Sequence, residues 1–75
     1  MITYDAFWVT LKKRNISQYK LINNYSVSKG LLDRMKKNES ITTHSINRLC
    51  DILKCDITDI MVYTAPDEGE EDGKI

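Results

Sequence analysis

Residues 17–38 read SQYKLINNYSVSKGLLDRMKKN, and this stretch decides the fold. It contains two short segments with apolar residues at helical spacing, and each segment follows a serine, Ser17 or Ser28. Serine is favoured at the N-cap of a helix because its hydroxyl accepts a hydrogen bond from a first-turn amide. The pattern therefore predicts helices over about 17–25 and 28–37, joined by about three residues. Two short helices joined in this way form a helix-turn-helix.

Three further helical patterns flank this pair. Apolar residues at positions 4, 7, 8 and 11 predict a first helix from about Thr3, as its cap, to Arg14. Similar spacing predicts a fourth helix over about 42–54 and a short fifth helix from Asp56 to about residue 62. Residues 1–65 contain one glycine and no proline, which favours helices over a β meander. The predicted fold is all-α: a compact five-helix domain over residues 1–64.

The predicted helix-turn-helix lies within the most basic part of the chain. The whole chain has 11 Lys and Arg residues and 11 Asp and Glu residues, so its formal net charge is zero. Between residues 12 and 37, however, eight side chains are basic and only Asp33 is acidic, a local balance of +7. A basic surface suits a polyanion such as nucleic acid. A solvated charged face without a partner is the alternative, and charge alone does not separate the two.

The last eleven residues, 65–75, differ in composition from the rest. They carry one Lys and five acidic residues, a balance of −4, whereas residues 1–64 carry ten basic and six acidic residues, a balance of +4. This composition predicts a disordered acidic tail. Either the tail lies transiently over the basic surface and competes with nucleic acid, or it is simply a solubilising end.

The sequence offers little material for a metal site or a catalytic centre. His44 is the only histidine, and with Cys50 and Cys55 it lacks the ligand spacing of known zinc sites. There is no glycine-rich phosphate loop and no pair of carboxylates in an apolar setting. We therefore expect no enzymatic activity, no metal, no cofactor and no small-molecule ligand.

The two cysteines are expected to be reduced thiols. Because they lie five positions apart on a predicted helical stretch, they should point to different sides, with one of them in the core. No signal peptide opens the chain, and no apolar run is long enough to span a membrane. These features predict a cytoplasmic protein.

The chain resembles the Cro/C1-type helix-turn-helix family, also called the Xre family. Within the helix-turn-helix, the matching residues are Ser17-Gln18, Leu21-Ile22, Val27-Ser28 and Leu32-Asp33-Arg34-Met35. The later stretches 42–53 and 56–60 match the two closing helices of the family, so the resemblance covers about residues 1–63. It is closest to small single-domain members found in Gram-positive bacteria. It implies a lambda-repressor-like DNA-binding domain.

Two positions depart from the family pattern. Ser26 stands in the turn, where the family usually has a glycine, and serine is more costly there if φ is positive. Residues 36–38, Lys-Lys-Asn, replace a Glu-x-Gly ending of the third helix. The second change makes the end of this helix more basic, and Asn38 is well suited to end it in a left-handed conformation.

The resemblance implies which residues contact DNA. The helix over 28–37 would enter the major groove with its N-terminal residues at base edges, while the helix over 17–25 crosses the backbone. The DNA-binding candidates are Gln18, Ser28, Lys29, Gly30, Leu31, Asp33, Arg34, Lys36 and Lys37. Further phosphate contacts are expected from Ser17, Thr42, Thr43 and His44. Lys29 and Arg34 can donate to guanine, and Asp33 can accept from cytosine.

Three of these residues have an alternative interpretation. Gly30 either allows the DNA backbone to approach closely or is merely tolerated within a helix. Leu31 either touches a thymine methyl group or packs against the fourth helix. Asp33 either contacts a base or pairs with a lysine one helical turn away, Lys29 or Lys37.

Two hypotheses for function follow. The first is a sequence-specific transcriptional regulator that binds a near-palindromic operator in double-stranded DNA as a homodimer, because one small domain contacts few base pairs. The second is a protein–protein interaction module on the same fold, similar to an antitoxin or an antirepressor. An apolar strip on the fifth helix, Ile60, Met61 and Tyr63, would serve either that role or dimerisation. The basic block favours the first hypothesis, since a protein-binding module has no need of it.

Overall fold

The computed structural model describes residues 1–66. Most of the predicted acidic tail therefore lies outside the described residues. In chain order the elements are β1 (Ile2–Thr3), α1 (Asp5–Arg14), α2 (Gln18–Tyr25), α3 (Lys29–Lys36), α4 (Thr43–Leu53), a 3-10 helix (Ile57–Asp59) and β2 (Val62–Tyr63). No helix within this part of the chain has the length and apolar character needed to cross a membrane.

Four α-helices build the domain, and the predicted fifth helix is a single 3-10 turn. Asp59 holds this turn, since its Oδ2 accepts a hydrogen bond from the Asp56 N–H at 3.1 Å. The backbone N–H groups of Ile60 and Met61 both donate to the Ile57 carbonyl at 3.0 Å, which ends the helical pattern after one turn. The prediction of five helices is therefore wrong in its last element.

The chain leaves this turn as a strand rather than a helix. β2 pairs with β1 in an antiparallel two-stranded sheet, with Ile2 opposite Tyr63 and Thr3 opposite Val62. β-branched and aromatic residues favour this extended pairing. The predicted apolar strip on a fifth helix is therefore also wrong: Ile60 is completely buried in the core, whereas Tyr63 lies exposed on β2.

The first helix begins one residue later than predicted. Thr3 belongs to β1, and Tyr4 occupies the N-cap of α1 without a side-chain cap. Instead, the Tyr4 N–H donates to Asn38 Oδ1 at 3.2 Å, and its hydroxyl donates to the Glu39 carbonyl at 2.8 Å. Tyr4 thus ties the start of α1 to the segment that follows α3.

One hydrophobic core joins the four helices with Tyr4, which precedes α1, and Ile60, which follows the 3-10 turn. Its completely or almost completely buried large side chains are Phe7, Leu21, Leu32, Met35, Leu49, Leu53 and Ile60. Trp8, predicted as a core residue, is half-buried and packs edge-to-face on Phe7 with ring centroids 4.8 Å apart. The apolar face of α1 predicted from the sequence is therefore the face that packs.

The end of α4 brings the two cysteines together. Lys54 follows the helix in a left-handed conformation with φ of 52°, which reverses the chain. As a result the Cys55 N–H donates to the Cys50 carbonyl at 3.2 Å, and both free thiols are half-buried. The prediction that the two side chains point to different sides is wrong, because the helix stops between them.

The turn between α2 and α3 is made by a serine in the left-handed region. Ser26 has φ of 58° and ψ of 33°, and its N–H donates to the Leu21 carbonyl to close the end of α2. An L-residue with a Cβ pays about 1–2 kcal/mol for this conformation, whereas glycine does not. The departure from glycine at this position is accommodated by the fold but is strained.

Replacing Ser26 with glycine is expected to raise the free energy of unfolding by about 1 kcal/mol, because glycine relieves the left-handed strain. Urea unfolding followed by circular dichroism measures the change. Ser17→Gly is the matched control: Ser17 has an ordinary φ of −87° and caps α2, so this change should cost a few tenths of a kcal/mol. If Ser26→Gly is also destabilising, the turn is not strained at that residue.

Candidate nucleic-acid interface

The two helices of the helix-turn-helix begin at serine caps. Ser17 Oγ accepts a hydrogen bond from the Lys20 N–H at 3.0 Å, and Ser28 Oγ accepts one from the Leu31 N–H at 3.0 Å. These are the two caps predicted from the sequence. The cap satisfies one of the amides of the first turn, and others remain free at a positive helix end, where a phosphate binds favourably. Gln18 is exposed at the start of α2.

The start of α4 is also capped by a hydroxyl side chain. Thr42 Oγ1 accepts a hydrogen bond from the Ser45 N–H at 3.1 Å, and the Thr42 hydroxyl also contacts Ser45 Oγ at 3.1 Å. Thr42, predicted as a phosphate contact, therefore already serves as the cap of its helix. The side chains of Thr43 and His44, predicted for the same role, are exposed.

The helix α3 has one buried side and one exposed side. Leu31, Leu32 and Met35 are buried on the core side. At 100° per residue, the opposite side is centred on Gly30 and residues 33 and 37, with residues 29 and 34 on its two flanks. The exposed candidates are Ser28, Lys29, Gly30, Arg34, Lys36 and Lys37, while Asp33 is half-buried.

Leu31 is the one DNA-binding candidate that the fold places in the core. Its side chain is 8 % exposed and belongs to the main hydrophobic cluster. Of its two alternative roles, packing is the one observed. Little of its surface remains for a thymine methyl group to touch.

Gly30 is not required by the packing of the protein itself. A Cβ built at this position meets no atom within 4 Å outside its own helix turn, and the residue lies in an ordinary helical conformation. A larger residue would fit, and alanine favours a helix by about 1 kcal/mol over glycine. Intramolecular sterics therefore give no reason for glycine here, although it sits at the centre of the exposed side of α3.

One residue of the basic block of the sequence, Arg14, contacts a part of the fold other than the helix-turn-helix. Arg14 at the end of α1 turns towards the end of α4, where its Nη2 donates to the Lys54 carbonyl at 2.9 Å. There it lines an open cavity together with the carboxylates of Asp51, Asp56 and Asp59. Arg14 is thereby held at the end of α4, whereas the basic residues Lys29, Arg34, Lys36 and Lys37 are exposed on α3 and its C-terminal flank.

One residue that positions the helix-turn-helix was not identified from the sequence. Arg48 on α4 donates from Nη2 to the Tyr25 carbonyl at 2.9 Å, and so caps the last turn of α2 from a distant helix. No local pattern signals this contact, because its partner is a backbone carbonyl 23 residues away. A second overlooked residue is Tyr19 on α2, which is 75 % exposed next to Gln18.

Two comparisons with known proteins identify the family of the chain. The model of the Cro/C1-type HTH DNA-binding domain matches residues 6–66. Among solved structures, the chain is similar to the crystal structure of the transcriptional regulator VanUg, Form II, with a TM-score of 0.73 and 28 % sequence identity over 81 % of each chain. A search of curated proteins gave no match. The family match includes α2, α3, α4 and all but the first residue of α1, and the chain therefore belongs to the Cro/C1-type helix-turn-helix family of DNA-binding domains.

Proposed function

We propose that the protein is a transcriptional regulator that recognises a specific sequence in double-stranded DNA by inserting α3 into the major groove. The observation that carries this proposal is the exposed side of α3, where cations surround a glycine on a helix whose other side is locked in the core. An α-helix fits the major groove, and a rigid helix places its side chains reproducibly against base edges. The regulator VanUg has a similar fold, which supports a role in transcription.

The contacts are divided between base edges and phosphates. Lys29 and Arg34 lie on the two flanks of the exposed side, where their donors would meet guanine O6 and N7. Lys36 and Lys37, together with the free amides at the start of α2, would hold the phosphates on either side of the groove. In this arrangement Gly30 faces the floor of the groove between the two base contacts.

Binding as a homodimer to a near-palindromic operator completes the proposal. A single α3 of two turns reaches only a few base pairs, which is too few for strong selectivity. The two-stranded sheet offers a surface for a second copy: Ile2 and Tyr63 stand opposite each other on one face of the sheet and are 40 % and 66 % exposed. Such a protein would work in the cytoplasm, where it meets DNA.

Selection from a random DNA duplex library tests this function directly. We expect two inverted half-sites about one helical turn apart, and an affinity for the selected site that falls steeply as salt is raised. If no sequence is enriched and binding disappears near physiological salt, the proposed function is wrong.

The exposed sheet also supports the second candidate, a protein–protein interaction module. Ile2 and Tyr63 place exposed apolar side chains on one face of the sheet, outside α3 itself. A module of this kind would bind its partner through the sheet and would show no enrichment of a DNA sequence. The library selection therefore distinguishes the two candidates.

The variant Gly30→Ala is expected to have opposite effects on stability and on DNA binding. Because the added Cβ meets nothing inside the protein, we expect the free energy of unfolding to rise by about 1 kcal/mol. If the groove approaches the helix closely, the same methyl group should reduce affinity for the selected operator about tenfold. The two measurements are urea unfolding and titration of the duplex by fluorescence anisotropy. A more stable variant with unchanged affinity would show that Gly30 is only tolerated.

A further inference from the structure

We propose that Cys50 and Cys55 form a reversible dithiol–disulfide site, which a small-molecule disulfide oxidises to an intramolecular bond. The site lies at the C-terminal end of α4, opposite the end that carries Thr42. It is independent of the proposed function in DNA binding, and it rests on the way α4 ends.

The backbone brings the two cysteines together. The left-handed Lys54 reverses the chain directly after α4, and the Cys55 N–H then bonds to the Cys50 carbonyl at 3.2 Å. In this kind of helix ending, the residue after the left-handed position packs its side chain against the residue whose carbonyl it binds. That packed pair is usually apolar, and in this chain it consists of two thiols.

The two thiols share one environment. Burial raises the pKa of both, that of Cys55 to about 11. Both cysteines are free and half-buried, and both line the open cavity that Arg14 closes on one side. A small-molecule disulfide therefore has access to them.

The charges around the pair set how readily it reacts. Asp51, Asp56 and Asp59 raise the pKa of Cys50, Asp59 also raises that of Cys55, and Arg14 partly opposes this effect at Cys55. Since only the thiolate attacks a disulfide, the pair reacts slowly at neutral pH and faster as the pH rises. These surroundings suit a site that changes under sustained oxidation rather than one that responds within seconds.

Oxidised glutathione provides a balanced reaction in two steps. One cysteine thiolate attacks a glutathione sulfur, which forms a mixed disulfide and releases one glutathione thiolate. The second cysteine then attacks the protein sulfur of that mixed disulfide, forms the Cys50–Cys55 bond and releases the second glutathione. The two protons lost by the cysteines pass to the two departing glutathione molecules, and the protein is oxidised by two electrons.

The experiment equilibrates the full chain with mixtures of reduced and oxidised glutathione at pH 8, and follows intact mass and free thiols. We expect a monomer that has lost two hydrogen atoms and both free thiols. The equilibrium constant for closure, meaning formation of the Cys50–Cys55 disulfide, should be at least tenfold larger in the native protein than in urea. Cys50→Ser and Cys55→Ser are the matched controls, and each should instead retain one glutathione.

Three results would overturn the proposal. The first is that the wild-type protein accumulates two glutathione adducts, and the second is that it forms disulfide-linked dimers. The third is that the closure equilibrium is no more favourable in the native state than in urea. Thermal unfolding provides an independent measurement, because preferential closure in the native state requires the oxidised protein to melt at a higher temperature than the reduced protein. Equal melting temperatures would also contradict it.

Discussion

Arg34→Ala is expected to reduce affinity for the selected operator by on the order of ten- to a hundredfold for each half-site, and to remove the preference for guanine at one position. A bidentate contact between an arginine and a guanine contributes about 1–3 kcal/mol of discrimination against other bases. Arg34 is exposed on a helix fixed by the buried Leu32 and Met35, so alanine should leave the fold intact. In a dimer the loss occurs twice.

Lys36→Ala is the control within the same helix. It removes the same unit of charge, but Lys36 lies at the end of α3 and is proposed to contact a phosphate. We expect a smaller loss that is similar for all sequences, and a salt dependence reduced by about one unit of slope. Competition between the operator and duplexes with single base changes measures both effects. If Arg34→Ala weakens all sequences equally, Arg34 contacts the backbone and another residue recognises the base.

The core of this fold was predictable from local signals. Ser17, Ser28 and Thr42 each stand before an apolar pattern, and all three cap a helix in the structure. Hydroxyl caps and helical periodicity act over three or four residues, so they can be recognised in the sequence without any tertiary information. The left-handed Asn38 is a signal of the same local kind.

The features that were missed depend on distant parts of the chain. Residues 62–63 become a strand because the N-terminal residues 2–3 lie beside them, and a two-residue segment has no periodicity of its own. Leu31 is buried through packing within the assembled core, a contact that helical spacing alone left undecided. The sequence shows Arg14 and Arg48 only as positive charges. In the structure, each donates a hydrogen bond to a carbonyl at the end of a helix that is distant in the sequence.

The exposure of the candidate residues on α3 was predictable from the sequence, but the extent of the basic surface was not. Lys29, Gly30 and Arg34 lie on the exposed side of α3, as the helical spacing indicated. The extent of the basic surface could not be derived from composition, because charge counts do not show the direction of a long side chain. Arg14 illustrates this point, since it lies within the basic block of the sequence but contacts the end of α4.

Phe7→Ala is expected to have the largest effect on stability, lowering the free energy of unfolding by about 3–5 kcal/mol. Phe7 is completely buried in the shared core, and its ring also supports Trp8 at a centroid distance of 4.8 Å. A domain of this size has a total stability of roughly 3–10 kcal/mol, so the loss takes most or all of it. The variant should therefore be largely unfolded at 37 °C.

Val9→Ala tests whether burial, rather than any change in α1, causes this loss. Val9 lies on the same helix but is 51 % exposed, so its truncation removes little buried surface. Alanine also has a higher helix propensity than valine, and the expected change is within about 0.5 kcal/mol. Urea unfolding followed by far-ultraviolet circular dichroism compares the two variants under the same conditions. A loss below about 1 kcal/mol for Phe7→Ala would contradict this prediction, because a tightly packed core cannot close around so large a cavity at low cost.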